Sequence, residues 1–133
     1  MENPAARDAP CPCGSRLRYT ECCAPVHAGK PADSAEALMR SRFSAFALGL
    51  PAYLLESWHP ETRPASVGLD DGIVWRRLQI VDTVAGRAED ETGIVEFRAS
   101  FRSPGGSQIL HERSRFARVD GRWRYVDGDV LER

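Results

Sequence analysis

The chain has 133 residues, of which 42% are apolar and 28% charged, the size and composition of one globular domain with a small appendage. Eighteen basic against nineteen acidic residues give a net charge of −1, so no overall charge draws the protein to nucleic acid. Residues 1–10 contain no apolar run, and we expect no signal peptide there. The least polar stretch, Phe43–Leu55, is too short to span a bilayer. We therefore expect a cytoplasmic protein whose thiols stay reduced.

All four cysteines lie close together near the start of the chain. They form two pairs, Cys11 with Cys13 and Cys22 with Cys23. Four thiolates suit zinc, which takes tetrahedral sulfur ligands in structural sites. A pair of disulfides or unpaired thiols are the alternatives, but disulfides need an oxidising compartment, and neighbouring cysteines bridge only with strained geometry. The sequence therefore predicts one zinc ion on a small N-terminal knuckle.

The fourth ligand of this predicted zinc site stays open. Adjacent Cys22 and Cys23 reach one metal together only if the backbone kinks between them. His27 is the substitute, because neutral imidazole is a good zinc ligand. A turn at Gly14 and Ser15 is expected to free backbone amides that point at sulfur and stabilise the thiolates.

Two helices are predicted after the knuckle. Asp33 can cap the first, and Glu36, three residues on, completes a capping box. Apolar residues then recur at helical spacing and give the helix one broad apolar face. Gly49 closes this helix, and Pro51 begins a second one that runs to about Trp58.

After a loop over residues 59–72, which is rich in proline and glycine, the period of the apolar residues changes to two. This alternation predicts four strands, and Asp120–Gly121 is a strong signal for a hairpin between the last two. The predicted strands are 74–80, 95–101, 109–119 and 122–126. Helices followed by four antiparallel strands indicate an α+β domain, in which the helices pack on one face of a curved sheet and leave a cone with an open end.

The cysteine segment resembles a known motif. Residues 11–15, Cys-Pro-Cys-Gly-Ser, together with Tyr19 and the pair at 22–23, are similar to the SEC-C motif first described at the C-terminus of the SecA preprotein translocase. The resemblance implies that three cysteines and a final Cys or His bind zinc, which here match Cys11, Cys13, Cys22 and Cys23. The chain departs from the common form at Arg16, where Gly is frequent, and at Leu17–Arg18, which replaces a usually basic pair.

The rest of the chain resembles the YchJ-like family of bacterial proteins, from Cys11 to about Val130. The segments that carry this resemblance are 38–46, 58–64, 111–116 and 125–129. That family couples a SEC-C motif to a domain of the nuclear-transport-factor-2-like cone fold. The resemblance implies a zinc-binding knuckle over residues 1–30 and a cone-shaped α+β domain over residues 31–133, and it supplies no activity.

A cone-shaped domain has a natural pocket, and four residues are candidates to line it: His59, His111, Arg113 and Asp127. A neutral His can act as a base, an Asp can orient it, and an Arg can hold an anion. Each also has a structural explanation, since His59 can order its loop, His111 and Arg113 can form cross-strand ion pairs, and Asp127 can form a turn with Asp129. No nucleophile elbow, phosphate loop or paired-carboxylate motif is present, so no catalytic residue is assigned and enzymatic activity stays open.

Three functions are compatible with these features. The first is an adaptor whose knuckle docks on a protein or ribosome partner through Arg16, Arg18 and Tyr19, as the related motif of SecA suggests. The second is a small-molecule-binding protein or acid–base enzyme that uses the cone, with His111 and Asp127 as the acid–base pair. The third, nucleic-acid binding, is the weakest because acidic residues are interspersed with the arginines. The sequence does not decide the ligand, the partner or the oligomeric state.

Overall fold

The computed structural model describes residues 9–69 and 72–131. Within them, a 3-10 turn at Tyr19–Glu21 is followed by three helices: α1 (Cys23–His27), α2 (Ala35–Leu48) and α3 (Pro51–Glu56). Four strands follow: β1 (Val74–Ala85), β2 (Thr92–Ser103), β3 (Gly106–Val119) and β4 (Arg122–Val130). This order confirms the predicted α+β class. The expectation of no signal peptide falls mostly on residues 1–8, which lie outside the described residues.

The N-cap of helix α2 is Ser34, one residue after the predicted cap Asp33. The Ser34 hydroxyl accepts a hydrogen bond from a backbone N–H of the first turn at 3.0 Å, so the predicted capping box of Asp33 and Glu36 is wrong. Glu36 instead forms an ion pair with Arg40 one turn further on, at 3.0 Å. The helix ends as predicted at Gly49, whose φ of 74° is left-handed. None of the helices in the described part of the chain is long and apolar enough to cross a membrane.

The four strands form one antiparallel sheet in the order β1-β2-β3-β4. The predicted hairpin at Asp120–Gly121 joins β3 to β4. Strand β4 continues beyond its predicted end at residue 126. Asp127 lies opposite Arg115, and Asp129 lies opposite Arg113, in the ladder with β3. The interpretation of Asp127 and Asp129 as turn-forming residues is therefore wrong.

The hydrophobic core lies between α2 and one face of the sheet. Its buried members are Ala35, Leu38, Met39 and Phe43 from α2, and Leu78, Val95, Phe97, Ala99, Phe116 and Trp123 from the strands. The start of α2 rests on the hairpin between β1 and β2, where the Ala35 N–H donates to the Gly86 carbonyl at 2.9 Å. The backbones of Gly86 and Gly93 lie against each other at this point, because neither residue has a side chain to keep them apart.

The cysteine-containing segment packs on α2 through two hydrogen bonds to backbone carbonyls. Arg40 donates from Nη1 to the Cys13 carbonyl at 2.8 Å, and His27 donates from Nε2 to the Ser41 carbonyl at 2.8 Å. The predicted boundary at residue 30 therefore falls between two parts of the chain that share a surface. That these parts fold as separate domains stays a prediction.

Candidate functional site

The four cysteine sulfurs converge on one point. Cys11, Cys13, Cys22 and Cys23 are all free thiols, and their sulfurs lie within 4.8 Å of one another. The Sγ of Cys22 is 3.6 Å from that of Cys13 and 3.9 Å from that of Cys23. Sulfur ligands at about 2.3 Å from a tetrahedral zinc ion are about 3.8 Å apart. The chemistry and the spacing of these sulfurs therefore fit a metal ion.

A break in the helical backbone brings the two adjacent cysteines together. Cys22 separates the 3-10 turn from α1, and its φ of −125° and ψ of −95° are far from helical values. This is the kink that the sequence required if Cys22 and Cys23 were to face the same point. The other pair is set by a tight loop, in which Gly14 has a φ of 82° and the Cys11 N–H donates to the Leu17 carbonyl at 2.8 Å.

Two serine hydroxyls contact the sulfurs. Ser15 Oγ lies 3.1 Å from the Sγ of Cys22. Ser44 projects from α2 and is fully buried, with its Oγ 3.4 Å from the sulfurs of both Cys11 and Cys23. Such hydrogen bonds orient sulfur ligands and stabilise their charged form. Ser44 therefore makes the surface of α2 part of the cysteine site.

The hydrogen bonds among the four cysteines favour one thiolate beside three thiols. Hydrogen bonds from the thiols of Cys11 and Cys23 lower the pKa of Cys13 well below its usual range, and the Ser15 backbone adds to this effect. Burial raises the pKa of Cys22 to about 11, and hydrogen bonding with Cys11 and Cys13 raises that of Cys23. Four thiolates at this spacing require a cation, because like charges in a partly buried site repel strongly.

His27 lies outside the sulfur cluster. Because its Nε2 donates to the Ser41 carbonyl, its Nδ1 is the acceptor for the Tyr19 hydroxyl, at 2.7 Å. Burial lowers the pKa of His27, which is consistent with a neutral ring. Both ring nitrogens are thus engaged with protein groups, which favours Cys23 over His27 as the fourth ligand.

The residues predicted to bind a partner occupy the loop of the knuckle. Arg16 and Arg18 are exposed, and Leu17 between them retains 53% of its surface. Tyr19 differs from the prediction, because it is half-buried and its hydroxyl is used by His27. Of the residues predicted to bind a partner, Arg16 and Arg18 are therefore the exposed ones.

Two of the predicted pocket residues lie on the face of the sheet that points away from the helices. His111 is only 9% exposed and donates from Nε2 to Glu96 at 2.8 Å. Arg113 contacts the same carboxylate at 2.8 Å and Asp82 at 3.1 Å. Hydrogen bonds from His111 and Arg113 lower the pKa of Glu96. This arrangement matches the cross-strand ion pairs that were the structural explanation of His111 and Arg113.

The other two predicted pocket residues are also engaged elsewhere. His59 accepts a hydrogen bond at Nδ1 from the Glu61 N–H at 3.1 Å, and its own N–H donates to the Tyr125 carbonyl at 2.7 Å, so it orders the loop after α3. Asp127 is exposed and bonds to the guanidinium of Arg115 on the outer face of the sheet. The structure therefore does not bring His59, His111, Arg113 and Asp127 into one pocket.

A cavity does lie between α2 and the sheet, with different residues. Its volume is about 280 Å³, and its polar lining consists of Arg42, Glu112, Ser114 and the Tyr125 hydroxyl among aromatic side chains. Sequence reasoning missed these residues, although the signal was present. Arg42 interrupts the apolar face of α2. On β3, Glu112 and Ser114 alternate with outward-facing residues and share the core-facing side of the strand with Phe116.

The fold and the cysteine cluster define a SEC-C motif joined to a nuclear-transport-factor-2-like domain. Residues 9–25 match the model of the SEC-C motif, and residues 34–128 match the model described as YchJ, middle NTF2-like domain. A UPF0225 protein of Streptomyces coelicolor is 56% identical over 124 residues, which cover 92% of this chain and 97% of that protein. The chain belongs to this family, the YchJ-like UPF0225 proteins.

Solved structures of similar proteins have the same fold. The solution structure of a SEC-C motif containing protein from Rhodopseudomonas palustris has a TM-score of 0.80 at 34% identity, and covers 93% of this chain and 100% of that one. The crystal structure of a SEC-C motif containing protein from Psychrobacter arcticus has a TM-score of 0.76 at 29% identity, and covers 96% of this chain and 86% of that one. The predicted family and fold are thus confirmed.

Proposed function

We propose that the protein is a zinc-dependent binding module of the cytoplasm, in which the knuckle docks on a protein partner at the ribosome or at an export complex. The observation that supports it most directly is the convergence of the sulfurs of Cys11, Cys13, Cys22 and Cys23, which lie within 4.8 Å of one another. Four thiolates fill the coordination sphere of zinc and leave no position for a substrate, so the ion has a structural role. A reducing compartment is required because the site needs free thiols.

The knuckle has almost no core apart from its metal ligands. Three buried cysteines form its cluster, and the partly buried apolar residues packed against them are Tyr19 and Cys22. Binding of zinc to such a segment supplies folding free energy on the order of 10 kcal/mol. Zinc would therefore hold the loop of the knuckle in one conformation, which reduces the entropy lost when the loop meets a partner.

The loop Arg16–Arg18 is the docking surface in this proposal. Arg16 has a left-handed backbone, with a φ of 74°, in which a residue other than glycine is less stable by about 1 kcal/mol. A glycine would be more stable here, so an arginine at this position has a cost in stability. Arginine is enriched at binding hot spots, and its planar fork suits carboxylates and phosphates.

The double variant Arg16→Gly with Arg18→Ala tests the docking loop. Because glycine relieves the left-handed backbone, the variant should keep its zinc and unfold at the same or a higher temperature than the parent protein. We expect cosedimentation with purified ribosomes for the parent protein and at least a tenfold loss of affinity for the variant. The matched control is Arg87→Ala, which removes an exposed arginine of the β1–β2 hairpin, outside the proposed docking loop, and should bind like the parent. Cosedimentation that the double variant leaves unchanged would exclude this loop as the docking surface.

Removal of zinc tests whether the knuckle folds separately from the sheet. The core of the sheet domain contains none of the cysteines, so we expect a chelator to leave its circular dichroism and its dispersed NMR signals in place. Signals of residues 9–30 should broaden or move to random-coil positions, since the metal supplies their folding energy. Cooperative loss of all signals in chelator would show instead that knuckle and sheet form one folding unit.

A further inference from the structure

The cavity between α2 and the sheet contains two groups of opposite charge in a largely aromatic wall. The charged groups are Arg42 from α2 and Glu112 from β3. Neither group forms an ion pair within the described residues, whereas the arginines and carboxylates of the outer sheet face, such as Arg113 and Glu96, are paired. The two opposite charges attract each other without forming a direct ion pair, and each group keeps polar atoms that the protein does not use, so this arrangement calls for an explanation.

Glu112 is held as a hydrogen-bond acceptor. Its Oε2 accepts from the hydroxyl of Ser114 at 2.7 Å and from that of Tyr125 at 3.1 Å. Its other oxygen, Oε1, makes no hydrogen bond to a described residue. A methyl group at position 128 would overlap the carboxyl group, so Gly128 leaves the space in which Glu112 sits. One carboxyl oxygen is thus fixed by the protein, and the other is available to a donor.

Arg42 is held as a buried cation. It is 3% exposed, and its Nη1 donates to the Leu54 carbonyl at 2.9 Å and to Ser57 Oγ at 2.7 Å. The rings of Trp58 and Tyr125 lie 4.9 Å and 4.5 Å from its guanidinium carbon. Burial lowers the pKa of Arg42 to about 10, so it remains charged at neutral pH. Its Nε and Nη2 make no hydrogen bond to a described residue and keep donors for an acceptor.

We propose that this cavity binds a small uncharged molecule with an aromatic or alicyclic body and one polar end that both donates and accepts hydrogen bonds, such as a primary amide or a lactam. The amide N–H would donate to Glu112, and the carbonyl would accept from Arg42. The aromatic wall formed by Phe43, Trp75 and Phe97 takes the apolar body.

The charges of the cavity determine this choice of ligand class. An acid is attracted by Arg42 but repelled by Glu112, and an amine is attracted by Glu112 but repelled by Arg42. Coulomb interactions are strong where water is excluded, so either ion also loses its hydration without full compensation. A neutral molecule with a donor and an acceptor uses both groups without a like-charge contact.

Three probes of nearly equal shape test the proposal on zinc-loaded, full-length protein. They are 3-phenylpropanamide, 3-phenylpropanoate and 3-phenylpropylamine, titrated by two-dimensional NMR with the indole N–H signals of Trp58 and Trp75 as reporters. We expect the amide to shift these signals and to bind at least tenfold more tightly than the acid or the amine. If no probe moves them up to its solubility limit, or if an ionic probe binds as tightly as the amide, the proposal is overturned.

Variants of the carboxylate distinguish a binding role from a structural one. In Glu112→Gln the side-chain carbonyl takes over the hydrogen bonds from Ser114 and Tyr125, and an uncharged N–H donor replaces Oε1. The acid should then gain at least tenfold in affinity, while the amide loses its acceptor and should bind more weakly. Gly128→Ala should displace the Glu112 carboxyl group and weaken the amide without removing any side chain of the wall. The control Glu61→Gln removes an exposed carboxylate outside the cavity and should leave all three affinities unchanged. An unchanged order of the three probes in Glu112→Gln would overturn the assignment of Glu112 as the selecting group.

Discussion

Cys13→Ser should leave the protein without its zinc ion. The parent protein should bind about one zinc per chain, because four sulfur ligands complete one tetrahedral site. Removal of a hydrogen-bond partner of a ligand already lowers metal affinity about 10- to 100-fold, and removal of a ligand should lower it further. Cys13 is fully buried, and its thiol is the one that the surrounding hydrogen bonds favour as a thiolate. Elemental analysis after dialysis against a weak chelator measures the loss.

His27→Gln is the matched control for this prediction. It removes the only histidine near the cluster, together with its hydrogen bonds to Tyr19 and Ser41. We expect a lower melting temperature but an unchanged zinc content, because the sulfurs supply all four ligands. A His27→Gln protein that has lost its zinc, beside a Cys23→Ser protein that has kept it, would show that His27 is the fourth ligand.

Gly93→Ala should have the largest effect of any single methyl group added to the sheet domain. A Cβ at this position would lie 2.5 Å from the Cα of Gly86, 2.9 Å from its backbone nitrogen and 3.2 Å from the Cβ of Ala35. These neighbours are backbone atoms and a short side chain, so none of them can rotate away. Overpacking of this kind destabilises by about 3 kcal/mol, which lowers the melting temperature by roughly 10 °C in a domain of this size. Thermal unfolding followed by circular dichroism measures the shift.

Gly68→Ala is the control for the added methyl group. A Cβ at Gly68 meets no atom within 4 Å, so the melting temperature should change by less than the error of the experiment. If Gly93→Ala and Gly68→Ala had the same melting temperature, the β1–β2 hairpin would not pack as closely on the start of α2 as the structure shows.

The elements that depend on local sequence could be predicted. The alternation from Val95 to Phe101 lies inside β2, and Asp120–Gly121 forms the turn between β3 and β4. The predicted cap of α2 was wrong by one residue, because Asp33 and Ser34 are both good caps and only the backbone decides between them. The length of β4 could not be predicted, since it depends on Asp127 and Asp129 meeting arginines of β3 across the ladder.

The two candidate sites differ in how far the sequence reveals them. The cysteines lie within one short segment, so their spacing alone predicted that they come together. The cavity takes Arg42 from α2, Glu112 from β3 and Tyr125 from β4, which are distant in the chain. Alternation along β3 leaves open which face points to the core, and the sequence therefore favoured His111 and Arg113 where the fold turns Glu112 and Ser114 toward α2. Choosing the correct face requires knowing which side α2 covers.

X-ray absorption at the zinc edge of purified, untagged protein is the most direct test of the metal site. If the four cysteines hold one zinc ion, the spectrum should show four sulfur neighbours at about 2.3 Å and no nitrogen neighbour. A shell of three sulfurs and one nitrogen, or protein that contains no zinc and has its thiols joined in disulfides, would contradict the account.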